Sequence, residues 1–171
     1  MAIIANWVSK PDKASFSVEI PLFEERFVIH YFDKVIIKTQ WCVESSSLSL
    51  EKNNLWQDVF DYINNPIEPL TVDLAKQGSA FRNKAWIAMC QIPIGQTITY
   101  SELARQVNSG ARAVANACRD NPFPGIIPCH RVVAVSGLGG YMGQTHGRAL
   151  EIKRKLLALE AAIVANGKEK N

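Results

Sequence analysis

The chain has 171 residues, 47% of them hydrophobic and 20% charged, which suits one well-filled core or two small domains and excludes a disordered chain. No run approaches the roughly 18 to 20 apolar residues of a membrane span, and Met1–Lys13 lacks a basic stretch followed by an apolar one, so neither a membrane helix nor a secretory leader is expected. The net charge of +3 divides unevenly: residues 1–76 carry seven Lys and Arg against eleven Asp and Glu, a net −4, and residues 77–171 carry twelve against five, a net +7. The basic half is the candidate for meeting a polyanion such as DNA.

In chain order, β-branched and aromatic residues predict strands over Ser15–Ile20, Phe27–Tyr31 and Lys34–Val43, with a polar loop at Ser45–Ser49. Leu55, Val59, Tyr62 and Ile63 recur at helical spacing within Glu51–Ile63, and Asn64-Asn65-Pro66 stops that helix. Pro66–Asp73 reads as a connector with one short strand. Ser79 caps a helix striped with Phe81, Ala85, Ala88 and Met89, which Ile92-Pro93-Ile94-Gly95 ends. Thr99 or Ser101 caps a short helix to Val107, Asn108-Ser109-Gly110 makes a tight turn, and Ala111–Arg119 forms a third helix. Two short helices joined by a glycine-containing turn have the spacing of a helix-turn-helix. On the third helix Arg112, Asn116 and Arg119 share one polar face, while Val114 and Cys118 lie on another. A last helix spans roughly Arg148–Ala165. It places Glu160 among Leu156, Leu157, Ile163 and Val164, where a carboxylate needs a partner.

Cys42, Cys90, Cys118 and Cys129 are scattered and lack metal-ligand spacing. His30 and Cys42, the candidate ligands of the first half, are too few for a tetrahedral site, so no metal and no cofactor are expected. Cys42, Cys90 and Cys118 read as packing residues. Cys129 differs because it precedes His130 in Asn121-Pro-Phe-Pro-Gly-Ile-Ile-Pro-Cys-His-Arg-Val-Val133, and a thiol near pH 8.5 needs a base or cation to become a nucleophile. A zinc deaminase would need Cys at position 132 and an upstream His-x-Glu, and a c-type haem site would need Cys at 126. The chain has Val132 and Ile126, and no His-x-Glu.

Ile127-Pro-Cys-His-Arg-Val-Val133 resembles the active-site motif of the O6-alkylguanine-DNA alkyltransferases, the methylated-DNA–protein-cysteine methyltransferases. The resemblance extends in order through Ile92-Pro-Ile-Gly95, Thr99-Tyr100, Ala111-Arg-Ala-Val114, Asn121-Pro122, Gly139-Gly-Tyr141 and Leu156-Leu-Ala-Leu-Glu160. It covers about Phe81–Glu160 and leaves residues 1–75 with only a matching position and strand-rich character.

The resemblance implies an α/β protein, with a small strand-rich α/β scaffold domain (residues 1–76) ahead of a mostly helical, winged helix-turn-helix-like alkyltransferase domain (residues 77–171). It implies a DNA-repair suicide enzyme that flips O6-alkylguanine out of the duplex and moves the alkyl group irreversibly to Cys129. O6-methylguanine would be the main substrate, and the resemblance also allows O4-methylthymine. His130 would take the thiol proton through water, Glu160 would orient the histidine, and Tyr100 would hydrogen-bond the departing base. Arg112 would fill the vacated space from a helix set in the minor groove, accompanied by Ala113, Asn116 and Arg119, with Asn121 as hinge. Val132, Gly139, Gly140, Tyr141 and Met142 would wall the base pocket. Relatives often carry a glycine after Ala-Arg-Ala-Val, where this chain has Ala115 and Asn116, and a small polar residue in place of Met142. The expected setting is a monomer in the cytoplasm, or the nucleus if the source has one, with double-stranded DNA and no membrane as partner. Two other readings predict different behaviour. A non-catalytic flag for alkylated DNA would lack the acceptor cysteine, and a helix-turn-helix regulator would prefer one operator sequence and usually form a dimer.

Overall fold

The computed structural model describes residues 3–13, 15–42 and 53–168. Its first part is a five-stranded mixed sheet of β1 (Ile3–Val8), β2 (Phe16–Leu22), β3 (Glu25–Phe32), β4 (Val35–Cys42) and β5 (Leu70–Ala75), in the order β1-β5-β4-β3-β2. β2, β3 and β4 form an antiparallel meander, whereas β5 runs parallel to both β1 and β4. The three meander strands fall where β-branched alternation places them. Ser15 lies outside β2, and Val43 and Ser45–Ser49 lie outside the described residues.

β1 was not legible in the sequence, because Ala5 and Asn6 interrupt its apolar run and its partner β5 lies more than sixty residues away. The connector strand is longer than Pro66–Asp73 suggests, reaching Ala75. α1 (Asn54–Asn64) starts at Asn53, whose side chain accepts from Trp56 N at 2.8 Å. Of the expected helix, Glu51 and Lys52 lie outside the described residues. Its Trp56, Val59, Tyr62 and Ile63 are buried in the core.

The helical part comprises α2 (Ala80–Cys90), α3 (Tyr100–Gln106), α4 (Ala111–Arg119) and the 21-residue α5 (Arg148–Lys168). Ser79 caps α2 as expected, accepting from Arg82 N at 3.3 Å. Thr99, rather than Ser101, caps α3 in a capping box with Glu102. Asn108 takes the left-handed conformation, φ 54°, that the α3–α4 turn needs. Two short parallel strands, β6 (Ile98–Thr99) and β7 (Val132–Val133), flank the helix pair as a small second sheet.

Sheet and helices share one core. Trp86 of α2 is 1% exposed, stacks 6.3 Å from Trp7 of β1, and donates its indole N–H to Ala117 O in α4 at 2.9 Å. Trp7 also meets Phe123 edge-on at 6.1 Å, so β1, α2 and the segment after α4 converge on one aromatic cluster. At the other end Arg148 of α5 pairs with Glu25, and Lys155 donates to Phe23 O at 3.1 Å, fixing α5 to the β2–β3 hairpin.

Candidate active site and DNA-facing surface

Cys129 opens a single 3-10 turn, Cys129–Arg131, between the Pro122–Pro128 segment and β7. All three turn residues are buried, Arg131 completely. The Cys129 sulfur lies at a cavity of about 270 Å³ lined by Tyr100 from α3, Ala115, Asn116, Cys118 and Arg119 from α4, and the 140–145 loop. The Asn121 side-chain amide donates to the sulfur at 3.1 Å and to Ile127 O at 3.1 Å, and its carbonyl accepts from Phe123 N at 2.9 Å. Burial raises the thiol's pKa above its ordinary value, and the Asn121 hydrogen bond works against that rise. The resting sulfur is therefore a thiol that needs a base.

Behind the cysteine lies a buried cluster of hydrogen-bonded ionisable groups. His130 Nε2 lies 2.7 Å from Glu160 Oε1, and Glu160 also receives Arg131 Nε at 3.0 and 3.1 Å, Arg131 Nη2 at 2.8 Å and Gly95 N at 3.2 Å. Burial alone would raise the Glu160 carboxyl, yet these hydrogen bonds and charges bring it down to about 2. Burial likewise lowers His130, against the pull of Glu160, which keeps the imidazole neutral near pH 7. With Nε2–H donating to Glu160, the buried Nδ1 has no partner among the described residues and is a free proton acceptor.

Two members of this machinery escaped the sequence. Arg131 stands in the motif, but only the fold shows its guanidinium gripping Glu160 and Ile92 O at 2.7 Å. Lys153 is fully buried on α5 and donates to Val132 O at 2.7 Å and Gly140 O at 2.9 Å. Burial pushes its ammonium down to about 8. Its sequence signal is the seven-residue spacing to Glu160, which sets both on one helical face with Leu156 between them.

Tyr100 stands in the cavity wall with its hydroxyl 3.4 Å from Gly140 O, and burial pushes its pKa up to about 12, so it remains a proton donor. Gly140, Tyr141 and Met142 line the cavity, Met142 in the left-handed region at φ 49°. Val132 and Gly139 do not line it. Val132 is fully buried and paired with Ile98, and Gly139 lies behind the Tyr100 ring, where a Cβ would come within 3.0 Å of it. Gly143, Asn116 and Arg119 line the cavity too, and Ala115, Cys118, Gln144 and Thr145, also in the wall, were missed, because loop and helix meet there only in three dimensions. Cys118 thus packs, as expected, and also faces the cavity.

Arg112, Asn116 and Arg119 form an exposed face of α4, with Ala113 half-buried beside them and Val114, Ala117 and Cys118 buried opposite. Asn121, expected as the hinge and grouped with the DNA-binding residues, is not on this exposed face. Its side chain is buried and committed to the cysteine segment, so it joins α4 to the site from within.

Residues 80–162 match the family described as 6-O-methylguanine DNA methyltransferase, DNA binding domain. The methylated-DNA–protein-cysteine methyltransferase of Metallosphaera sedula is 33% identical over 137 residues, 77% of this chain and 84% of that protein. Its counterpart from Methanosarcina mazei is 37% identical over 130 residues, 74% of this chain and 77% of that protein. Among solved structures, the O6-methylguanine methyltransferase of Mycobacterium tuberculosis superposes with a TM-score of 0.70 at 28% identity, over 86% of this chain and 93% of that one. Mycobacterium tuberculosis OGT in complex with DNA gives 0.68 at 26% identity, over 88% and 94%. The matches run through the helix pair, the cysteine turn and α5, with DNA as the partner of the matched domain, and the chain belongs to the methylated-DNA–protein-cysteine methyltransferase family.

Proposed function

We propose that the protein repairs alkylated duplex DNA by taking the alkyl group of O6-alkylguanine onto the sulfur of Cys129, one lesion per molecule. The observation that carries this reading is the position of Cys129 between an open cavity and the buried His130–Glu160–Arg131 cluster. O6-methylguanine is the main substrate, with O4-methylthymine as a second one. The setting is a monomer in the cytoplasm, or in the nucleus of a nucleated source.

The base cannot react inside the stack, so it is extruded into the cavity while Arg112, on the exposed face of α4, occupies the gap. Ala113, Asn116 and Arg119 lie along the duplex from the same helix. His130 takes the Cys129 proton on Nδ1 through a water, and Glu160 balances the imidazolium. The thiolate forms the S–C bond as the C–O6 bond breaks, and the electron pair leaves on the guanine. Tyr100 donates a hydrogen bond to that growing charge, and the proton taken from the thiol finally returns the base to its neutral form. Lys153, held close by two carbonyls, adds positive potential around the sulfur. Nothing in this scheme displaces the thioether, so the reaction ends there.

Intact-mass and peptide mass spectrometry after stoichiometric incubation with a duplex carrying O6-methylguanine tests the reading. The expected result is one added methyl on Cys129, absent from Cys129→Ala. An unmodified Cys129 in folded, reduced protein rules the reading out.

A further inference from the structure

The N-terminal sheet reaches the cysteine segment through one strand edge. Among the described residues β4 pairs with β5 only at Val35–Asp73 and Ile36–Leu74, and no other described strand takes up the rest of that edge. The Gln77 side chain takes up Ile37 O at 2.9 Å, and the Pro122–Pro124 segment fills the next position. Thr39, 1% exposed, donates its backbone N–H to Pro122 O at 2.9 Å and its hydroxyl to Pro124 O at 2.8 Å. Phe123 O is taken up locally by the Ile126 and Ile127 N–H groups, whereas the Pro122 and Pro124 carbonyls take their donors from Thr39, across the sheet edge. Asn121, the residue before this pair of bonds, holds the Cys129 sulfur. Next to them Gly125 sits at φ 92° against the Phe27 ring, where a Cβ would come within 2.8 Å. The segment therefore has little freedom to settle elsewhere.

We propose that Thr39 is a positioning residue for alkyl transfer: its two bonds to Pro122 and Pro124 hold Asn121 against the sulfur of Cys129. The strand-rich half is thereby part of the reaction apparatus and not only a scaffold. This inference rests on the assignment of Cys129 as the acceptor.

Thr39→Val keeps the shape and the backbone bond and removes the hydroxyl. The rate of methyl transfer from an O6-methylguanine duplex is expected to fall about tenfold at pH 7, the factor associated with one buried hydrogen bond. The midpoint of the rate–pH profile should move upward, because the Asn121 N–H favours the thiolate. The other titratable groups around the sulfur, His130 from the same turn, Lys153 from α5, Tyr100 from α3, Cys118 from α4 and Tyr141 from the loop, keep their identity in the variant. Thr39→Ser restores the donor and should stay within about twofold of the parent protein. In an Asn121→Ala background Thr39→Val should add no further loss. If Thr39→Val does not fold by circular dichroism, Thr39→Ala against Thr39→Ser makes the same comparison. Parent-like rates in Thr39→Val, an unshifted midpoint, or an equal loss in the Asn121→Ala background overturns this inference alone. A parent protein that leaves Cys129 unmethylated overturns the acceptor assignment and this inference with it.

Discussion

Glu160→Gln preserves side-chain volume while removing the charge on which His130 and Arg131 converge. Two routes give the size of the loss. The fall of the carboxyl from 4.5 to about 2 on folding corresponds to about 3 kcal/mol of stability at neutral pH. Removing one partner of a buried ion pair typically costs about 3–5 kcal/mol, because Arg131 would be left with no balancing charge. Since the folded group titrates below the unfolded one, this stability is complete above about pH 4.5 and is lost as the pH falls toward 2. Urea unfolding of both proteins between pH 7 and pH 3 reads the effect directly. Glu160→Gln should be about 3–5 kcal/mol less stable at pH 7, with the gap narrowing on acidification. Methyl transfer should slow about a hundredfold, the low end for a general-base system. A gap below about 1 kcal/mol at pH 7, or one that ignores pH, would show that the carboxylate does not carry the buried charge as described.

Lys153→Met should separate stability from activity. Burial lowers the folded ammonium from 10.5 to about 8, so the parent protein gains stability as the pH rises from about 8 to 10.5, by about 3 kcal/mol. Methionine has no such titration. The variant's stability relative to the parent should therefore fall across that window, while its transfer rate at pH 7 drops about tenfold through loss of the nearby positive charge; a flat stability difference would contradict the buried-cation reading. Arg112→Ala should slow repair of duplex DNA by more than tenfold yet change repair of the same lesion in a single strand by less than about threefold, because only the duplex has a gap to fill. Equal losses on both substrates would remove Arg112 from base extrusion.

Much of the helical half was legible because its signals are local. Ser79, Thr99 and the Asn108–Gly110 turn satisfy helix ends within a few residues of themselves, so the sequence marks them. The acceptor candidate was legible too, through Pro128-Cys129-His130-Arg131 and the partner an apolar stripe demands for Glu160. The cavity wall was legible only in part. Tyr141 and Met142 line it, whereas Val132 and Gly139 lie behind the wall and Gln144 and Thr145 stand in it.

What escaped depends on distance along the chain. β1 exists because β5 lends it hydrogen bonds, and no local pattern in Ile3–Val8 announces that pairing. The sequence also offered no reason to join Thr39 to Pro122, and the hinge reading of Asn121 did not put its amide on the sulfur eight residues on. The chemistry is written in residue order: a thiol, an imidazole, a carboxylate and a basic helix face in a recognisable succession. Which buried polar groups meet is settled by the folded core. Each must find a partner once water is excluded, and the packing of the whole core, not the neighbouring residues, supplies it.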